Sequence, residues 1–153
     1  MNKYLERYIE NLTGRTFIKS VALEEEKVSI FFYKSYEEFL IHNKDSKITK
    51  VDYSEYFTQN TIEKILVGEP VRILREFSFV DVVSIIIPDM ESPFSLYSID
   101  INRKELNEYL EFKIEETSVY DGTWRSKFSD IYIHSKEHRR NFMSKFVSVI
   151  PRV

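Results

Sequence analysis

Three glycines, one alanine and no cysteine occur among 153 residues, and this shortage restricts the chain more than any motif it contains. Phosphate-cradling loops and the sharp turn that presents a nucleophilic serine both need closely spaced glycines. Gly14, Gly68 and Gly122 are too dispersed to supply either. The absence of cysteine removes disulfides, thiolate nucleophiles and cysteine zinc sites together. Any site must therefore be built from side chains at strand ends rather than from a backbone cradle. The scarce glycines should also mark breaks: Gly14 and Gly68 as helix stops, Gly122 as the tip of a hairpin.

An apolar share of 42% with 31% charged residues is globular, and a chain of this length can bury roughly 70% of its unfolded surface. No repeat, linker or low-complexity tract divides it, so residues 1–153 are expected to form a single globular domain. The net charge of −3 and pI of about 5.7 argue against bulk attraction to nucleic acid, which needs a basic face. Lys3, Glu6 and Arg7 fall where a signal peptide would be apolar. The longest apolar run, Ile85-Ile86-Ile87, lies inside the stretch 79–88, which has the length of a strand, far short of a membrane span. A cytoplasmic protein without membrane contact is expected. The abundance of Lys, Ile, Asn, Phe and Tyr, whose codons are AT-rich, points to a low-GC bacterium, its phage or a mobile element.

Helical spacing of Tyr4, Leu5, Tyr8, Ile9 and Leu12 predicts a helix over 2–12. Strands are predicted at 17–23 and 28–33, joined by a turn at 24–27. Ser35 followed by Glu38 has capping-box spacing, and Asn60 with Glu63 and Asn102 with Glu105 repeat it. They predict helices at 36–42, 61–67 and 103–109, with 70–76 open between helix and strand. The apolar run 77–87 predicts a central strand covered on both faces, ended by Pro88. Further strands are predicted at 94–101, 112–120 and 123–133, the last two flanking a hairpin at Asp121-Gly122. Ser135 caps a last helix through Phe146, and 147–153 reads as an edge strand. The sum is an α+β fold: a single, mostly antiparallel sheet of five to seven strands with four or five short helices.

Four constellations carry chemistry. Pro88-Asp89 followed by Glu111-Phe112-Lys113 resembles the PD-(D/E)xK nuclease pattern. That resemblance implies Asp89 and Glu111 as magnesium ligands, with Lys113 on the same strand face steadying the attacking water. Acid-x-Lys spacing recurs at Glu25–Lys27 and Asp45–Lys47, and a predicted helix interrupts the two halves. His134 and His138, near Asp130 and Glu137, have the spacing of two zinc ligands on one helix face. A cap at Ser135 would leave His134 outside the helix and aim the rings apart. Tyr120, Trp124 and Arg125 at the expected hairpin tip are residue types that dominate interface hot spots, the alternative being a Trp124 packed in the core. Lys136, Arg139, Arg140 and Lys145 could present a basic helix to nucleic acid or an acidic protein, or simply solvate the face opposite Phe142 and Phe146.

The sequence therefore points to a non-enzymatic binding protein acting on another macromolecule, most often a protein, in the manner of inhibitors, immunity-type proteins and phage or mobile-element accessory factors. Tyr120, Trp124, Arg125, Arg139 and Arg140 are its expected contact residues. The alternative is a magnesium-dependent nuclease built on Asp89, Glu111 and Lys113. No cofactor is expected outside that alternative, where magnesium would serve. A small-molecule sensor with an aromatic-lined pocket is a third reading.

Overall fold

Lys27 to Phe32 and Val82 to Pro88 lie side by side and parallel at the centre of one five-stranded sheet, and the rest of the fold follows from connecting them. The structure, a computed structural model, describes residues 2–152. The strands run in the order β1 (Ile18–Glu24), β2 (Lys27–Phe32), β3 (Val82–Pro88), β4 (Ser95–Asn102) and β5 (Val147–Pro151), antiparallel at every pairing except β2–β3. A parallel pair needs a long crossover. Here it contains helices α2 (Tyr36–His42), α3 (Lys50–Tyr56) and α4 (Gln59–Glu76). Helix α1 (Lys3–Glu10) precedes the sheet, α5 (Arg103–Leu110) follows β4, and a π-helix at Arg125–Ile133 and α6 (Lys136–Phe146) lead into β5. The α+β class and the single sheet stand as expected. Six α-helices and the π-helix, among the described residues, exceed the expected count. No helix among them is long and apolar enough to cross a membrane.

Several predicted caps act as read. Ser35 Oγ accepts from the Glu38 amide at 3.1 Å, Asn102 Oδ1 from the Glu105 amide at 2.7 Å and Ser135 Oγ from the His138 amide at 3.4 Å. The expected break at Gly68 does not occur. Helix α4 starts a little earlier than predicted, capped by Thr58, and runs through Gly68 and Pro70 to Glu76, so 70–76 is helix. Eleven of its eighteen residues are buried, and tertiary packing of that extent outweighs the missing Pro70 amide bond. Gly68 serves close approach instead: a Cβ there would lie 3.0 Å from Ile133 Cδ1 and 2.9 Å from an Arg72 nitrogen. Gly14 lies four residues beyond α1 and holds a φ of +85° ahead of a 3-10 turn at Arg15–Phe17.

With glycine so scarce, two other left-handed positions fall to glutamate, at Glu25 (φ 55°) in the β1–β2 turn and Glu111 (φ 66°) at the end of α5. The expected strands at 112–120 and 123–133 are absent. Residues 114–116 form a 3-10 turn and Arg125–Ile133 the π-helix. Asp121 does not sit in a hairpin. Its carboxylate accepts from Thr123 N at 2.9 Å and Thr123 Oγ1 at 2.6 Å, an Asx-turn that launches a helix. Residues 77–81, inside the strand predicted over 77–87, fall outside β3. Arg103 explains why: its guanidinium donates to the carbonyls of Leu74 (2.7 Å), Phe77 (2.9 Å) and Val80, satisfying the orphan acceptors where α4 ends.

The register assigns every strand residue to a face. Val28, Ile30, Val83, Ile85, Ile87, Ile99 and Ile101 are all buried under the helices. The opposite face carries Ser20, Phe31, Ile86, Ser98 and Ser148 in one row and Ala22, Ser29, Ser84 and Asp100 in the next. These residues are half-buried or exposed. The expectation that β3 is covered on both faces is therefore corrected: its burial alternates, with Ser84 and Ile86 on the open side.

Helix α4 also buries Glu69, which accepts an ion-pair hydrogen bond from Arg72 one turn on. Burial outweighs that cation and holds the Glu69 carboxyl above its ordinary range. A raised folded-state pKa means the native state binds more protons than the unfolded chain, so stability falls as pH rises from the unfolded carboxyl value towards the raised native one. Glu69→Gln removes this dependence. Thermal melts between about pH 4 and about pH 7 should show the variant losing less stability than wild type over that interval.

Candidate functional site

The residues expected to form the hairpin-tip interface do not act together. Tyr120 is fully exposed and Arg125 is exposed, but Trp124 is 5% exposed and belongs to the core. Its indole stacks on Phe128 with ring centroids 5.0 Å apart, and the Arg75 guanidinium lies 4.5 Å above the ring. The expectation of an exposed tryptophan anchor is corrected on that ground. Sequence signals for the burial existed: Trp124, Phe128 and Tyr132 recur every four residues, a helical rather than a strand period.

The basic helix divides in the same way. Arg140 is exposed, whereas Arg139 is 3% exposed and enters an ion pair with the equally buried Glu63 of α4. Arg139 Nε lies 3.0 Å from Glu63 Oε1, Nη1 donates to Ile133 O at 2.8 Å and Nη2 to Asn60 Oδ1 at 2.8 Å. Arg140 (3.3 Å) and Gln59 (3.0 Å) donate to the other Glu63 oxygen. Burial alone would raise the Glu63 carboxyl, but the Arg139, Gln59 and Arg140 donors together hold it below the usual carboxylate range. Arg139 thus ties α6 to α4 and to the end of the π-helix, and it is not available as a contact residue for nucleic acid or an acidic partner.

The nuclease-like residues lie apart from the geometry their resemblance implies. Glu111 is the left-handed C-cap of α5 and Lys113 precedes a 3-10 turn, so no strand alternation aims them the same way. Helix α5 starts at the Val82 end of β3, the opposite end from Asp89. The Asp89 carboxylate accepts from the Glu91 amide at 2.9 Å in the loop after β3. His134 lies outside α6, before its Ser135 cap, and His138 Nδ1 is held by Ser135 Oγ at 2.9 Å. Among the described residues no three His, Cys, Asp or Glu side chains converge to hold a metal ion.

The open face of the sheet is the broadest feature that the sequence reading missed. Phe31, 39% exposed, and Ile86 are cross-strand neighbours at its middle. Ser20, Ala22, Ser29, Ser84, Ser98 and Ser148 surround them with short side chains. Small neighbours leave the phenyl and the isoleucine standing above a shallow, uncharged floor. The charges at one end of these rows are Asp100, paired with Lys27 at 3.6 Å, and the exposed Glu24 opposite Lys27, so no unpaired cation stands there. The sequence signal is slight: one serine, Ser29 or Ser84, stands in each of the apolar stretches 28–32 and 82–87.

Comparison with family models, with curated proteins and with solved structures finds no match to this chain.

Proposed function

We propose that this chain is a non-enzymatic binding protein whose partner, another protein, covers the open face of the sheet around Phe31 and Ile86. The observation that supports the reading is the half-finished cover of β3. Its composition is that of a strand buried on both sides, yet over 82–87 the only buried residues are Val83, Ile85 and Ile87 on the helix side, and on the other side burial is complete only at Pro88. A partner layer supplies the other half. The chemistry of the face favours protein over nucleic acid, because its one flanking lysine is already engaged by Asp100 and phosphate contacts require free cations. The recognising surface is a sheet face rather than a cleft, in keeping with a cytoplasmic inhibitor, immunity-type protein or phage or mobile-element accessory factor.

Ile86→Lys places a charge in the middle of this face at a half-buried position. Binding to the native partner should weaken by about 2 kcal/mol or more, roughly thirty-fold, as for the loss of an interface anchor. Affinity capture from the source organism compares wild type, Ile86→Lys and, as a control at a distant exposed site, Arg125→Glu. Partners lost with Ile86→Lys alone support the reading, and an unchanged set with a folded Ile86→Lys protein overturns it.

A further inference from the structure

A second feature lies at the end of the sheet, where loops following the two parallel strands meet. Parallel strands direct their carboxyl ends, and the loops that follow them, to the same side, which is where open α/β sheets collect ligands. The start of α2, which follows β2, contributes Tyr36 and Glu37, and the loop after β3 contributes Asp89, to a pocket of about 360 Å³ that Lys50, Tyr53 and Arg152 complete. The volume is at the small end of ligand sites.

Two buried polar atoms of this pocket's residues have no partner: the Tyr53 hydroxyl and Arg152 Nε. Such atoms are rare in folded proteins and call for an explanation. Tyr53 is 3% exposed and its ring is fixed edge-on against Phe17 at 5.0 Å and Phe57 at 5.2 Å, so its hydroxyl cannot turn to find a partner elsewhere. Burial pushes the phenol up to about 12, against the opposing pull of the Arg152 charge, so the group keeps its proton and remains able to donate. Arg152 is anchored by Nη2, which donates to Ser95 O at 3.2 Å and Asp89 O at 3.5 Å. Both partners are neutral carbonyls, and among the described residues no carboxylate lies within ion-pair distance of Arg152. The other cation, Lys50, is already paired with Glu37 at 2.8 Å. The formal charges of Lys50 and Arg152 balance those of Glu37 and Asp89, but Arg152 has no carboxylate at ion-pair distance, and the lining residues keep two unused donors.

We propose that this pocket binds a monoanionic carboxylate, received by Arg152 Nε and the Tyr53 hydroxyl. A carboxylate has two oxygens for two donors and one charge for one unpaired cation. A phosphate dianion fits less well, because its second charge would face Glu37 and Asp89. The walls formed by Tyr36, Met90 and Pro93 suit an apolar body attached to the acid. The carboxylate arrives either on a free amphipathic acid or on an acidic side chain of a peptide. This site is separate from the open sheet face, and neither reading depends on the other.

Benzoate, a capped glutamate-containing tripeptide and inorganic phosphate serve as probes, each titrated into the full chain while the backbone amide resonances of Tyr53, Asp89 and Glu91 are followed. Saturable shifts with benzoate alone identify a free acid, and saturable shifts with the peptide alone identify a protein side chain as the source. Tyr53→Phe should weaken the binding probe about ten-fold, the value of one hydrogen bond to a charged group, and Arg152→Gln should abolish it. Tyr53→Phe removes an unpartnered hydroxyl, so the variant should melt no lower than wild type and loss of binding cannot be put down to unfolding. No saturation by benzoate or peptide, tighter binding of phosphate than of either, or equal binding by wild type and both variants overturns the proposal. The same variants should leave partner capture by the open sheet face unchanged, so that failure of one reading is visible separately from failure of the other.

Discussion

Arg139→Ala should lower the unfolding free energy by about 3–5 kcal/mol, the range for breaking a buried ion pair from one side. The cost comes mainly from Glu63. With Arg139 gone, a carboxylate that is 2% exposed keeps only Gln59 and the half-exposed Arg140 as donors. The Ile133 carbonyl loses its donor at the same time. Arg139→Lys should recover only part of the loss, because an ammonium cannot reach Glu63, Asn60 and Ile133 with one planar fork. Replacing both members of the pair with apolar residues, Glu63→Leu with Arg139→Met, should cost much less than Arg139→Ala, since no buried charge is left behind. Urea unfolding of the four proteins measures these differences. The pH dependence gives an independent check. Glu63 is held below the usual carboxylate range in the native protein, so the pair's contribution is present above the unfolded-state carboxyl value and is lost as pH falls through the lower native one. The gap between wild type and Arg139→Ala should therefore narrow below about pH 4, where a protonated Glu63 no longer needs its cation. A gap that stays constant with pH would show that Arg139 acts through packing rather than through Glu63.

That pair also shows what the sequence could and could not disclose. The local signals were readable: Ser35, Asn102 and Ser135 cap the helices they were expected to cap, and the β1–β2 hairpin lies where strand formers flank a glutamate-rich turn. Each depends on residues a few positions apart. Arg139 and Glu63 are 76 positions apart, and nothing near either residue marks it as buried. A basic run on an amphipathic helix looks the same whether one arginine turns inward or all four face water. Helix α3 was missed for a narrower reason. Its capping box uses Thr49 with Asp52 in place of the usual glutamate or glutamine, although both reciprocal hydrogen bonds form.

The larger errors came from local signals that tertiary packing overrode. Gly68 and Pro70 are sound helix breakers in isolation, but α4 passes through both because it is buried on nearly every side. Asp121-Gly122 is a strong hairpin signal, but the four-residue recurrence of Trp124, Phe128 and Tyr132 just after it belongs to a helix. The open sheet face failed in the opposite sense. Ser84 and Ile86 break no strand rule, and the apolar run around them has the composition of a strand with two covered faces. The chain supplies one cover, and the uncompleted half is the feature that the proposed function uses. Residues of the Tyr53–Arg152 pocket come from four separate segments, so no spacing along the chain could have announced it.

Trp124→Ala should destabilise the protein by about 3–5 kcal/mol, as for truncation of a large buried aromatic. Three contributions are lost together. The cavity left by the indole lies against Phe128, which itself packs edge-on to Phe142 at 6.1 Å in the cluster that joins the π-helix to α6. The cation–π contacts of Arg75 at 4.5 Å and Arg72 at 5.6 Å disappear. The start of the π-helix also loses its main hydrophobic anchor. Trp124→Phe should retain the stack on Phe128 and cost less than Trp124→Ala, while Tyr120→Ala, at a fully exposed position, should change stability by no more than about 0.5 kcal/mol. Thermal unfolding of the three variants, followed by near-ultraviolet circular dichroism, reads the order directly. A Trp124→Ala protein as stable as wild type would return the indole to the surface and revive the hairpin-tip interface. The expected order instead means that loss of a partner after Trp124→Ala reports damage to the fold, so the 120–125 segment is tested for binding through Tyr120 and Arg125, whose side chains can be changed without opening the core.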